Sequence, residues 1–254
     1  MGNTLTVRNL VIGEGMPKIC VPVTGTTAED ITAQAERIKG LQPDLVEWRA
    51  DFFEEVEKKE AVLAVLARLR GVLPDTPLIF TFRTAKEGGE RELGAGGYAA
   101  LNEAAATSGY ADIVDVELFA GDDVVERVRA AAHKHGVRMI VSSHDFGGTP
   151  DVEEMVARLR RAQELGGDLP KLAVMPRDAG DVLALLQATW TMKERYADRP
   201  IITMSMAGAG VVSRMAGGIF GSAVTFGSAG KPSAPGQLGA DELRGALELL
   251  HRGL

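Results

Sequence analysis

Leu169-Pro170-Lys171-Leu172-Ala173-Val174-Met175 has the composition of a buried strand, and Val182, Leu185, Leu186 and Thr189 follow it at helical spacing. A strand followed by a helix is the unit of parallel sheets, because parallel neighbours need a crossover connection. The alternation extends both ways along the chain. Short β-like runs recur at 18–23, 45–49, 78–83, 113–117, 138–142, 171–175, 201–206 and 223–226, with helical patterns between most of them. Thr26-Thr27-Ala28-Glu29 reads as the capping box of the first helix. Thr149-Pro150 reads as the cap of the helix carrying Val152, Met155, Val156, Leu159 and Leu165, which Gly166-Gly167 ends. After the eighth run, Leu243, Ala246, Leu247 and Leu250 repeat the pattern. Eight such units in 254 residues predict an α/β fold, a (β/α)8 TIM barrel forming a single catalytic domain over residues 1–254. An open doubly wound sheet would be expected to carry a glycine fingerprint after its first strand, and Val23-Thr24-Gly25-Thr26-Thr27 is not one. Residues 4–8 and 10–12, around Arg8-Asn9, predict a short β-hairpin closing the barrel bottom.

Bulk composition narrows the class. The chain is 45% hydrophobic and 25% charged, with a net charge of -7, and its 28 Lys and Arg form no stripe that would grip phosphates. No nucleic-acid partner is expected. Neither a roughly 20-residue apolar span nor a signal-peptide core is visible, so a cytoplasmic protein without membrane contact is expected. The lone Cys20 precludes an internal disulfide or a multi-cysteine metal centre.

In a barrel of this type the active site forms at the C-terminal ends of the strands, and those ends are polar here. They read Val46-Glu47-Trp48-Arg49, Phe82-Arg83 followed by Glu87, Val116-Glu117, and Ser142-Ser143-His144-Asp145. Lys171 stands within an apolar strand, where burial costs solvation and favours the free amine that attacks carbonyls. With His144 at the end of the preceding strand, the pair suggests Schiff-base chemistry with an acid/base partner. Glu47 and Arg49 share a strand face, either as a structural ion pair or as part of a site. His133 and His135 lie two apart on a helix, face different ways and read as surface residues. Gly208-Ala209-Gly210 is a weak match to a phosphate loop, and Arg214 beyond it is either an anion anchor or a surface ion-pair partner. Residues 227–239, rich in Gly, Ser, Ala and Pro, follow the eighth strand and are expected to act as a lid that closes on substrate, with a protease-sensitive point near Lys231.

Several motifs in order, including Glu47-Trp48-Arg49, Lys86-Glu87-Gly88-Gly89, Ser142-Ser143-His144-Asp145, Pro170-Lys171-Leu172-Ala173-Val174-Met175 and Ser233-Ala234-Pro235-Gly236-Gln237, resemble the type I 3-dehydroquinate dehydratases over essentially the full length. The resemblance implies dehydration of 3-dehydroquinate to 3-dehydroshikimate, a step of the shikimate pathway, by a homodimer that needs no metal or organic cofactor. It places the imine lysine at Lys171, the proton-shuttling histidine at His144 and the glutamate paired with it at Glu87. It also implies substrate binding by Glu47, Arg49, Arg83, Arg214, Ser233 and Gln237, between apolar walls at Met204, Met206 and Phe226. Ser143 and Pro22 depart from the family pattern, where a larger polar residue and a serine often stand. The other Schiff-base reading on this fold is a class I aldolase, which commonly grips a phosphate near the last two strands.

Overall fold

A computed structural model describes residues 3–230 and 232–253. Lys231 therefore lies outside the described residues. Two short strands, β1 (Leu5–Val7) and β2 (Leu10–Ile12), form an antiparallel hairpin. Eight parallel strands follow: β3 (Lys18–Val23), β4 (Leu45–Arg49), β5 (Leu78–Thr81), β6 (Ile113–Glu117), β7 (Arg138–Asp145), β8 (Leu169–Val174), β9 (Ile202–Ser205) and β10 (Val224–Phe226). Each pairs with the next in sequence through β9, while β10 pairs with β3. The seam between β9 and β10 is bridged at Ile201 and Ser222, where Ala223 N donates to Ile201 O at 2.8 Å, completing a (β/α)8 barrel.

The helices form the outer ring: α1 (Ala28–Gly40), α2 (Lys59–Val72), α3 (Ala95–Thr107), α4 (Asp122–Lys134), α5 (Val152–Glu164), α6 (Ala179–Arg195), α7 (Val211–Phe220) and α8 (Ala240–His251). Two expected caps shift. Thr27, one residue later than read, caps α1 by accepting from Asp30 N, while Glu29 turns to Arg68. Asp151 caps α5 by accepting from Glu154 N at 2.8 Å, and Thr149 instead donates to Met175 O. Both shifts have one cause: several adjacent side chains could serve, and the helix starts at the one whose oxygen meets the amide three residues on. Gly166 ends the α5 region as expected, with the positive φ of 82° that a side chain would resist.

Period-two alternation divides the strands' side chains between two cores. Outward residues pack on the helices. Inward, Cys20, Leu45, Ile79, Ile113, Ile140, Leu169, Ile202 and Val224 fill the barrel, with Val7 and Ile12 of the hairpin packed against them. The hairpin thus closes the bottom, and Arg8 ties it down through Asp112 at 2.7 Å and Pro74 O at 2.9 Å. Above this apolar floor, charged side chains replace aliphatic ones.

Candidate active site

Strand ends set the geometry. β5 stops at Thr81, short of the expected Arg83, because the amides of Arg83 and Thr84 leave the ladder to donate to Asp51 Oδ1 and Glu117 Oε1. β7 runs on to Asp145, so His144 pairs with Ala173 and its side chain enters the barrel mouth. β8 begins at Leu169, which puts Lys171 mid-strand, 5% exposed and deep in the barrel.

Lys171 Nζ lies 3.4 Å from Asp115 Oδ2 and 3.7 Å from Glu47 Oε1, with the face of Phe226 4.5 Å away. The nearest charges to the amine are therefore carboxylates, a pairing that the apolar sequence around Lys171 does not announce. The pleat explains it, since Glu47, Asp115 and Lys171 all point inward from different strands at neighbouring depth. Glu47 does not pair with Arg49. Arg49 forms a two-pronged ion pair with the buried Asp51 at 2.8 and 2.7 Å, and Asp51 also accepts from Arg83 N and Glu90 N.

Arg83 faces the barrel floor of the site. Its Nη2 donates to Asp115 Oδ1 at 2.8 Å, and its Nη1 donates to Glu117 Oε1 at 3.2 Å and Ser142 Oγ at 2.9 Å. Glu117 in turn holds the amide and hydroxyl of Thr84, fixing the start of the turn that carries Glu87. Gly88 and Gly89 shape that turn. A Cβ at Gly89 would stand 1.9 Å from Arg83 O, and one at Gly88, whose φ is 84°, would stand 2.3 Å from the Phe146 ring.

Glu87 Oε2 is 2.9 Å from His144 Nδ1 and also accepts from His144 N at 3.0 Å. This pattern assigns the Nδ1 proton to the Glu87 side and leaves the lone pair on Nε2, the nitrogen remote from Glu87. Burial, then Arg83, Lys171 and Arg49, hold the His144 imidazole well below its usual range, so the ring is neutral near pH 7. Burial pushes the Glu87 carboxyl up to about 8, with Glu117 and Asp115 adding and Arg83 opposing.

The Glu87 shift has a sign that can be tested. Its folded value lies above the unfolded value of 4.5, so the associated stability is fully present below pH 4.5 and is lost as pH rises through about 8. Glu87→Gln carries no such titration. Urea unfolding of both proteins at pH 5 and pH 9 is expected to move the stability difference in the variant's favour at the higher pH, on the order of 2 kcal/mol or more. A difference that does not change with pH would contradict this electrostatic reading.

Arg214, on α7, is 2% exposed and has no carboxylate within ion-pair distance among the described residues. Its Nη2 donates to Pro235 O at 3.0 Å, Nη1 meets the Met204 sulfur at 3.6 Å, and Nε has no partner. Burial lowers its guanidinium to about 10, which still leaves it charged near neutrality. The expected alternative of a surface ion pair is therefore excluded. Such a buried cation is costly until an anion arrives. The weak phosphate-loop match fails on geometry: Gly210 N, Val211 N and Ser213 N donate to Ala207 O, Gly208 O and Gly210 O within the same turn.

Residues 227–230 and 232–239 lie across the mouth. Ser233 and Gln237 hydrogen-bond to each other at 2.9 to 3.4 Å and line the cavity, Arg49 reaches Ser233 O at 3.5 Å, and Ala207 N holds Pro235 O at 3.1 Å. These polar ties hold the segment over the site, although its composition offers few apolar contacts. Met204, Met206, Ala173 and Phe226 form the apolar wall opposite the charged strands. All twelve residues singled out in the sequence converge on one cavity of ≈ 490 Å³, mouth included. Asp115, Ser142, Glu117 and Asp51 were not among the site residues identified from sequence; their signal was that they fall on the inward register of β6 and β7 or two residues beyond Arg49. His133 and His135 do not form a pair: His133 Nε2 meets Asp168 Oδ2 at 2.9 Å on the helical exterior.

Comparison with known proteins gives the same direction. A family model described as type I 3-dehydroquinase matches residues 19–253. A 3-dehydroquinate dehydratase from Bacillus licheniformis is 55% identical over 254 residues, 100% of both chains. The crystal structure of a type I 3-dehydroquinate dehydratase from Clostridium difficile, with covalently modified comenic acid, superposes with a TM-score of 0.97 at 52% identity and covers 100% of each chain. A 3-dehydroquinate dehydratase from Geobacillus kaustophilus gives a TM-score of 0.96 at 41% identity, covering 99% of each chain.

Proposed function

The chain belongs to the type I 3-dehydroquinase family and is a hydro-lyase that converts 3-dehydroquinate to 3-dehydroshikimate in the shikimate pathway, and we propose that it does so through an imine on Lys171. The observation that carries this reading is a buried amine facing the same cavity as a neutral imidazole and an uncompensated guanidinium. Lys171 attacks the ketone, and loss of water gives an iminium that acidifies the adjacent C–H. His144 removes that proton at Nε2, forming an enamine. The β-hydroxyl then leaves as water with the proton returned by the same imidazole, and hydrolysis frees Lys171.

Glu87 holds the ring by accepting the Nδ1 proton, which fixes its tautomer and orientation. Arg214 binds the substrate carboxylate through a planar fork, which gives the buried cation its counter-charge. Glu47, Arg49, Ser233 and Gln237 orient hydroxyls, with Met204, Met206 and Phe226 against the ring. Arg83 acts from below by holding Asp115, Glu117 and Glu87 in place.

Residues 1–254 working as one catalytic domain, cytoplasmic location, and assembly as a homodimer belong to the same proposal and rest on the family resemblance. Among the described residues no helix is long and apolar enough to cross a membrane. Sedimentation equilibrium tests the dimer.

Incubation with 3-dehydroquinate while recording the ultraviolet band of a conjugated enone tests the overall reaction, and no absorbance change with pure folded protein would oppose it. Arg214→Met tests the carboxylate anchor. Its KM is expected to rise about 10- to 100-fold, the worth of a charge-assisted hydrogen bond, with a smaller change in kcat. The melting temperature should hold or rise, because an unpaired buried charge has been removed. An unchanged KM would remove Arg214 from substrate binding.

A further inference from the structure

Asp115 is fully buried in the middle of β6, and its two oxygens have separate tasks. Oδ1 accepts from Arg83 Nη2 at 2.8 Å and from Ser142 Oγ at 2.6 Å, which fixes the carboxylate's position and charge. Oδ2 is turned to Lys171 Nζ at 3.4 Å. Glu47, the other acid beside Lys171, receives only the Thr81 hydroxyl at 2.9 Å and keeps lone pairs for a proton. Burial raises the Asp115 carboxyl, but Arg83, Lys171 and the Ser142 hydroxyl more than reverse this, leaving it anionic.

The chemistry gives such an anion a use. Condensation of an ammonium with a ketone yields an iminium and water: Lys171 gives up protons, a C–N bond forms, and the carbonyl oxygen departs as water. The nitrogen is cationic before and after, and neutral only while it attacks. Resting on the imine reading above, we propose that Asp115 is a positioning residue, the fixed counter-ion that holds the Lys171 nitrogen and stabilises both of its cationic states, while Glu47 accepts the proton that frees the amine. Other groups facing Lys171 are Cys20 on β3, Arg83 after β5 and His144 on β7; β9 and β10 present Met204 and Phe226. The Cys20 thiol is pushed well up by burial and stays neutral, so Asp115 and Glu47 are the anions in direct reach.

The test is the pH profile of reductive trapping by cyanoborohydride in the presence of 3-dehydroquinate, followed by intact mass. In Asp115→Asn the ammonium loses its fixed partner, so the acid limb of trapping should move about one pH unit lower, the lower end of what an adjacent opposite charge does. Turnover should fall about 10- to 100-fold with KM within about threefold. Ser142→Ala should move the limb the other way, because an Asp115 stripped of its hydroxyl donor attracts the ammonium more strongly. Opposite shifts support the counter-ion role. An unmoved limb in Asp115→Asn at wild-type melting temperature, or shifts of the same sign, would overturn it. Should Asp115→Asn not fold, Ser142→Ala decides alone: an upward shift supports the role, and any other result rejects it. A wild-type adduct on another residue would instead sink the imine reading itself.

Discussion

Lys171→Met is expected to reduce kcat by about 10⁴-fold or more, the scale on which enzymes lose rate when a covalent nucleophile is removed. Methionine is unbranched like lysine, one atom shorter, and suits the Phe226 and Met204 side of the cavity, so the barrel should fold. Asp115 keeps its Arg83 and Ser142 donors in the variant, and Glu47 keeps Thr81. Substrate affinity should change little, because Arg214 and the loop bearing Ser233 and Gln237 are untouched. Measurement of kcat together with substrate binding by calorimetry separates the cases. Turnover within tenfold of wild type would show that the lysine is not the reacting group.

His144→Ala is expected to lose about 10²- to 10⁴-fold in kcat, the usual contribution of a positioned general acid/base. The step that fails should be elimination. Imine formation needs Lys171 and its carboxylates but not the His144 imidazole, so the covalent intermediate should accumulate and be visible in the intact mass of the unreduced protein. Glu87→Gln should fall between His144→Ala and wild type, because a glutamine oxygen can still accept at Nδ1 while the amide cannot ionise as the carboxyl can. Full activity in His144→Ala would refute the shuttle, and equal loss in the two variants would mean that they act as an inseparable dyad.

Much of the architecture was legible because repetition is local. Eight apolar runs separated by 3.6-period patterns admit few folds, and the hairpin around Arg8-Asn9 packs beneath the barrel as its position implied. The twelve site residues were found through their places at strand ends and through family motifs, and they do converge. What eluded the sequence was pairing across strands. That Lys171 meets Asp115 and Glu47, that Arg49 turns to Asp51, and that Arg83 points down to Glu117 and Ser142 depend on stagger between strands, which no single strand encodes. The helix caps failed for a smaller reason: Thr26 and Thr27, or Thr149 and Asp151, are chemically alike as caps, and tertiary contacts such as Thr149 with Met175 O select between them.

The most direct measurement is borohydride reduction during turnover followed by peptide mass mapping. Inactivation should accompany a single adduct on the peptide containing Lys171, carrying the carbon skeleton of the substrate or product, with none on Lys18 at the opposite, N-terminal end of the barrel. Complete inactivation with an unmodified Lys171, or an adduct on another lysine, would contradict the imine mechanism and the roles assigned around it.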